Sequence, residues 1–169
     1  IRPMERIRIC FVCLGNICRS PTAEAVLRRR LDDEGLGHRV VVESAGTGDW
    51  HVGDAPDPRA TAEARRRGVD LAGASAQFQE SDFDRFDLIL AMDRTNHADL
   101  RILAPHDDAA EKVRLLREFE ASNPGELDVP DPYYGGRDGF AHTFDVVERS
   151  IAGLMDHLLE SERIDPPDA

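Results

Sequence analysis

Cysteine is scarce in this chain: three stand at positions 10, 13 and 18, and none follows. That spacing offers no disulfide framework, and a thiol that has to stay reduced points to a cytoplasmic setting. The six histidines show neither an HExxH pair nor clustered ligand spacing, which gives a metal site little support. A glycine-rich lysine loop for nucleotides is missing as well. No apolar run reaches membrane length and no signal peptide is read, so no membrane role is expected. Positive charge is outweighed, with 21 Lys and Arg against 33 Asp and Glu for a net charge of −12. A chain of that sign repels phosphate backbones, which makes nucleic acid a poor partner. The triplets Arg28-Arg29-Arg30 and Arg65-Arg66-Arg67 lie among acids on predicted helices and read as solvated faces. Aromatic residues make up 6% of the chain, with a single tryptophan, Trp50. Internal repeats and low-complexity stretches are absent.

What is present suits one domain, since 169 residues with 41% hydrophobic content can bury a substantial core. Residues 4–160 are expected to form it. Ile1-Arg2-Pro3, ahead of Met4, read as a remnant before the native start, and 161–169 as a frayed tail.

The most informative stretch runs from Ile7 to Pro21, an apolar strand that ends in Cys13, passes Gly15 and Arg19, and opens a helix at Ser20-Pro21. A thiol attacks only as its thiolate, and a free cysteine near pKa ~8.5 is largely protonated at neutral pH. Cys13 lies just ahead of a helix N-terminus, where unpaired amides and the fixed charge of Arg19 favour both a thiolate and a tetrahedral anion. The loop amides of Leu14, Gly15, Asn16, Ile17, Cys18 and Arg19 are the candidate phosphate cradle. Gly15 is expected to let the backbone turn those amides inward. Arg19 can fork two hydrogen bonds onto phosphate oxygens, and Ser20 is short enough to donate to the thiolate. The plain alternative is a core cysteine followed by a surface arginine. Cys10 reads as an inward-facing core residue of the first strand.

A second element lies at Leu127-Asp128-Val129-Pro130-Asp131-Pro132-Tyr133-Tyr134-Gly135-Gly136, a loop that presents Asp131 between two prolines. Cleaving a phosphate monoester with a thiolate needs a proton for the departing oxygen, and a nearby carboxylic acid can give it and then reclaim one from water. Taken alone, the segment would be an ordinary Asp-Pro turn.

Strand and helix patterns alternate along the chain. Strands are predicted at 7–12, 40–44, 88–91 and 113–115. Helices are predicted at 21–34, 58–67, 81–86, 94–103 and 139–160. That order implies an α/β fold with a parallel sheet between helices. Ligands of such sheets bind beyond the carboxyl ends of strands, where Cys13 follows Val12.

These residues resemble a known family. The Cys13 to Ser20 loop, Ser44-Ala45-Gly46-Thr47, Trp50 with Val52-Gly53 and Pro56-Asp57-Pro58-Arg59, Ala91-Met92-Asp93, and Asp131-Pro132-Tyr133 occur in the order seen in low-molecular-weight protein tyrosine phosphatases, most like the actinobacterial members. The resemblance spans nearly the whole chain. It implies a three-layer Rossmann-like fold with four parallel strands. It implies that Cys13 forms a cysteinyl-phosphate, that Arg19 holds the phosphoryl oxygens, and that Asp131 protonates the leaving oxygen and then activates water. No metal or organic cofactor is implied. Asn16, Ser20 and Ser44 match positions that support the loop, while Trp50, Tyr133 and Tyr134 match the walls of the cleft, where an aromatic surface can stack on a phosphoaryl ring. Trp50 read in isolation could equally plug a gap in the core. Cys18 matches a second loop cysteine able to pair with the nucleophile on oxidation.

One departure stands out. Gly73 and Ala76 occupy the places where relatives carry a His and an Arg, and losing that His is expected to loosen Asn16 or to leave a water there. Three readings follow. The first is hydrolysis of a phosphotyrosine-containing protein or a small aryl phosphate. The second is a phosphatase for a small phosphate ester, or an arsenate reductase, although no cysteine after Cys18 offers a thiol relay. The third is a weakly catalytic phosphotyrosine-binding module. A monomer is favoured.

Overall fold

Strand β1 (Ile7–Cys13) is wanted by both faces of the sheet. It sends Ile7, Ile9, Phe11 and Cys13 to one side and Cys10 and Val12 to the other, and all six are buried. This is the two-residue alternation of a strand covered on both faces, which explains why its sequence reads as a nearly unbroken apolar run. The computed structural model describes residues 6–123, 125–132 and 136–161.

The other strands are β2 (Val40–Gly46), β3 (Leu88–Ala91) and β4 (Val113–Leu115). They pair in parallel in the order β2-β1-β3-β4. Helices α1 (Arg19–Asp33), α2 (Pro58–Arg66) and α5 (Gly136–Glu160) contribute to the core on one face. The core there joins Ala23, Val26, Leu27 and Leu31 of α1 to Phe144, Val147, Ile151, Leu154 and Leu158 of α5, both sets at helical spacing. On the opposite face, α3 (Arg94–Leu103) and the single turn α4 (Asp107–Ala110) pack with Phe78, Phe83 and Phe86. Buried side chains of this size contribute about 1.5–3 kcal/mol each, so both layers stabilise the sheet.

The parallel sheet between helices is the one the strand and helix pattern implied, and its four strands in three layers are what the family resemblance implied. From β1 the chain passes to β2 on one side and then crosses to β3 on the other, so the crevice between β1 and β3 is the switch point where such sheets receive ligands. Cys13 ends β1, and Asp93 follows β3. Among the described residues no helix is long and apolar enough to cross a membrane.

Several boundaries differ from expectation. Strands β1 and β2 run on to Cys13 and Gly46, because those two residues still pair. Helix α1 begins at Arg19, which makes Pro21 its third residue, a place where a missing N–H costs no helical bond. Helix α2 ends one residue early, and α5 starts at Gly136 rather than 139. The predicted helix at 81–86 is a 3-10 turn, Glu80–Asp84. Helix α4 and the 3-10 turns Gly37–Arg39 and Leu116–Phe119 were not expected, since a single turn is too short to show a hydrophobic period.

Candidate active site

The loop between β1 and α1 wraps around one sulfur atom. Cys13 Sγ accepts the Asn16 backbone N–H at 3.2 Å and lies 3.0 Å from Ser20 Oγ. Neighbouring bonds hold the serine of that second contact in place. Asn16 Nδ2 donates to Ser20 Oγ at 2.8 Å and to Ser44 Oγ at 3.0 Å, while Asn16 Oδ1 accepts the Ala76 N–H at 3.0 Å. Ser20 Oγ has one hydrogen, which faces both Cys13 Sγ and the Ala45 carbonyl at 3.4 Å, and a thiolate, having no hydrogen to give, takes it as an acceptor. Two donors therefore converge on the sulfur, an arrangement that favours its anionic form.

The same network extends away from the cleft. Ser44 Oγ donates to Glu24 Oε1 at 2.6 Å, and the other Glu24 oxygen pairs with Arg28 at 2.7 Å. Burial pushes the Glu24 carboxyl up, the Ser44 hydroxyl and Arg28 pull it back, and it stays above the usual range. An ionised Glu24 compels Ser44 to donate outward and leaves Ser44 as the acceptor of one Asn16 amide N–H, so the carboxylate braces the side chain that also holds Ser20.

Two sequence expectations are corrected here. The left-handed residue of the loop is Asn16, at φ 56°, and not Gly15. Asparagine tolerates that conformation and uses its side chain to hold it. Nor is Asn16 loosened by Gly73 and Ala76. The backbone N–H of Ala76 holds its amide, and the Ser75 hydroxyl donates to the Gly15 carbonyl at 2.9 Å. Gly73 itself lies at φ +90° beside a cavity of about 290 Å³ behind the loop, which Asn16, Glu24 and Ser44 also line.

Arg19 is buried, with its side chain 5% exposed. Its Nη1 donates to Asp93 Oδ2 at 2.7 Å and to the Val129 carbonyl at 3.1 Å, and these two bonds fix the plane of the guanidinium. Burial alone would lower its pKa, but the charges of Cys13, Asp93 and Asp131 and the Asp93 hydrogen bond outweigh burial and raise it. Asp93 also caps α3 by accepting the Asn96 N–H at 2.7 Å, so one carboxylate orients both a helix and the arginine. Asp131 Oδ2 lies 3.8 Å from Arg19 Nη2. The segment carrying it is tied down on its N-terminal side, where the Val129 N–H donates to the Met92 carbonyl at 2.7 Å and Thr143 Oγ1 donates to the Pro130 carbonyl at 2.9 Å.

Cys13, Leu14, Gly15, Ile17, Cys18, Arg19 and Asp131 line one cleft of about 220 Å³, together with Trp50 and His51. Asn16 is not among them, being turned behind the loop. Trp50 is 70% exposed and forms a wall, which overturns the reading of it as a core plug. A Cβ on Gly48 would overlap the Trp50 ring, so that glycine lets the indole approach the backbone closely. Gly46 is equally constrained, because a Cβ there would stand 2.8 Å from the Leu14 carbonyl oxygen. Tyr133 and Tyr134, also expected on the walls of the cleft, lie outside the described residues. Cys18 is buried, and burial together with the charges of Asp57, Cys13 and Asp131 pushes its thiol up to about 12, so it is protonated at neutral pH. Cys10 is buried in the sheet as expected.

Sequence reasoning missed Glu24, Ser75 and His51, and gave Asp93 no task. Two signals were available: Asp93 follows the carboxyl end of a strand, and Glu24 lies four residues after Ser20, on the same face of α1. The assembled groups can present a sulfur nucleophile to a tetrahedral anion, neutralise its charge and exchange a proton with it.

The parallel sheet and the cysteine loop at its switch point define a cysteine-based oxyanion-handling α/β protein. A family model described as low molecular weight phosphotyrosine protein phosphatase matches residues 8–164, and the chain belongs to that family. It is 54% identical over 149 residues to the low molecular weight protein-tyrosine-phosphatase of Streptomyces coelicolor, covering 88% of this chain and 91% of that one. It is 44% identical to low molecular weight protein-tyrosine phosphatase A of Mycobacterium tuberculosis over 90% of this chain and 91% of that one. A crystal structure of a protein tyrosine phosphatase from Entamoeba histolytica, with Hepes in the active site, superposes with a TM-score of 0.88 at 36% identity, covering 92% of this chain and 99% of that one.

Proposed function

We propose that this chain is a protein tyrosine phosphatase that hydrolyses phosphotyrosine and related aryl phosphates through a phosphocysteine on Cys13. The observation that supports this most is the convergence of two donors on Cys13 Sγ in a cleft shared with Arg19 and Asp131. In the first step Sγ attacks phosphorus, the S–P bond forms and the P–O(aryl) bond breaks, with Asp131 giving its proton to the departing phenolate. In the second step the Asp131 carboxylate takes a proton from water, the water oxygen attacks phosphorus, and the S–P bond breaks to release phosphate and the thiolate. Arg19 and the loop amides of Leu14, Gly15, Ile17, Cys18 and Arg19 neutralise the equatorial oxygens in both steps, while the Asn16 amide, expected among them, holds the sulfur instead. Asn16, Ser20 and Ser44 act through the sulfur as positioning residues. Trp50 walls the ring of the substrate.

Residues 4–160 serve as one catalytic unit on this reading, acting as a monomer in the cytoplasm, where the nucleophile stays reduced. Phosphate release from p-nitrophenyl phosphate and a phosphotyrosine peptide, compared with phosphoserine and aliphatic phosphate esters, tests the proposal. Turnover confined to aryl phosphates and lost in Cys13→Ser is the expected result. Aliphatic esters turned over as fast as aryl ones would contradict it.

A further inference from the structure

Beside the catalytic cleft runs a second depression of about 470 Å³ that shares Leu14 and Trp50 with it. Its floor is apolar, with Phe78 and Leu100 fully buried beneath it. Its walls mix polar Thr47, Gln77 and Gln79 with uncovered apolar side chains, Ile102 being 82% exposed and Leu14 43%, in addition to Trp50. Exposed apolar side chains gathered around a depression that adjoins a catalytic cleft offer contact area to a chain bound in that cleft. Asp99 is its charged lining residue.

Continuity decides the occupant. Trp50 separates the two depressions, so a chain whose phosphotyrosine ring lies against one side of the indole carries its neighbouring side chains over Leu14 and Trp50 toward the other. We propose that this groove is a specificity subsite for the phosphotyrosine-flanking part of a polypeptide substrate, and that it takes a large aliphatic or aromatic side chain close to the phosphotyrosine. The inference rests on the phosphatase reading. Burial of such a side chain against Phe78, Leu100 and Ile102 supplies the attraction. Asp99 and the net charge of −12 work against acidic flanks, so discrimination comes from repulsion as well as from contact. A small aryl phosphate never reaches the groove and is therefore blind to it.

The test is a set of phosphotyrosine peptides in which each position flanking the phosphotyrosine on either side carries Leu, Ala or Asp in turn. At one flanking position Leu is expected to exceed Ala in kcat/KM by about 10-fold, the range one apolar side chain gives in an apolar pocket, with Asp below Ala. In Ile102→Asp and in Leu103→Ser, both at exposed or half-exposed positions of α3, that Leu/Ala ratio falls toward one. Because the ratio is taken within a single variant, any general loss of activity cancels. Equal rates for Leu and Ala peptides at every position, or a ratio that survives Ile102→Asp, would overturn the subsite. So would light scattering that shows a dimer broken by Ile102→Asp, since a second copy would then cover the groove. If p-nitrophenyl phosphate is not hydrolysed at all, the phosphatase reading falls first and takes the subsite with it. Peptide rates that are uniform while p-nitrophenyl phosphate turns over sink the subsite alone.

Discussion

The floor and the walls of the cleft are built in opposite ways. The floor is one continuous stretch, residues 13–20, whose polar groups are tied by short hydrogen bonds and whose side chains are mostly buried. The walls come from several separate segments and carry apolar side chains open to solvent, Trp50 of the cleft and Ile102 of the neighbouring depression among them. A floor of that sort must be rigid, because chemistry depends on sub-ångström placement of the sulfur and the guanidinium. Walls of that sort can differ between proteins that share the chemistry, since they change what is bound and not what is done to it.

The comparison breaks most visibly at Asp131, which reaches the floor from the wall side. Asp131→Asn should lower kcat by about 10²–10³-fold on phosphotyrosine peptides, and by less on p-nitrophenyl phosphate, whose leaving oxygen needs little protonation. Equal losses on both would remove the acid role.

Next comes Asn16→Ala. It deletes the side-chain bonds to Ser20, Ser44 and Ala76 and leaves alanine at φ 56°, a conformation that costs about 1–2 kcal/mol. Both kcat and melting temperature are expected to fall, whereas Trp50→Ala should leave the melting temperature alone.

A subtler break acts on the far end of the network. Glu24→Ala removes the acceptor that orients the Ser44 hydroxyl and so loosens the Ser44 support of Asn16, and about 1 kcal/mol of lost support corresponds to roughly fivefold in kcat. Alkylation of Cys13 by iodoacetamide should slow in parallel, and Glu24→Gln, which keeps an acceptor oxygen, should restore most of both. Activity restored by neither glutamine nor any other acceptor would assign Glu24 a purely packing role.

The walls themselves give the smaller effects. Trp50→Ala should raise KM for aryl phosphates several-fold, about 0.5–1.5 kcal/mol of ring contact, with kcat little changed. Smallest in function, and purely structural, is Asp57. Its carboxylate caps α2, and its backbone N–H holds the Ile17 carbonyl of the floor at 2.8 Å. Burial alone would raise its pKa, but the Arg59 side chain and two backbone N–H groups outweigh that and hold it below the usual range. A depressed folded value means the cap's stabilisation is complete above the unfolded pKa near ~4 and is lost as pH falls through the folded one. Asp57→Ala should therefore cost about 1 kcal/mol at neutral pH, read by thermal melting, with the gap closing in acid below the ordinary aspartate range.

The same contrast explains how much could be read from the sequence. The floor was legible because its parts are neighbours: Cys13, Arg19 and Ser20 lie within one strand-loop-helix unit whose apolar run and helix start mark its ends. The sheet was legible because β1 and β3 are apolar on both faces. Asp131 was found through the chemistry a thiolate requires. What stayed hidden depends on approach between distant segments. Ala76 supports Asn16 through a backbone N–H, which leaves no trace in residue identity. This is why replacing a histidine and an arginine by Gly73 and Ala76 suggested a loosened loop where the structure has a held one. The second depression was invisible for the same reason, since Leu14, Phe78 and Ile102 are far apart in the chain.

The central claim is that the floor works through a covalent bond to one sulfur. The most direct measurement is mass spectrometry of protein quenched in acid during turnover of p-nitrophenyl phosphate, with peptide mapping of the added phosphate. A phosphoryl group on Cys13, enriched in Asp131→Asn where hydrolysis of the intermediate is slowed and missing in Cys13→Ser, is the predicted result. Sustained turnover by Cys13→Ser, or phosphate mapped to another residue, would contradict it.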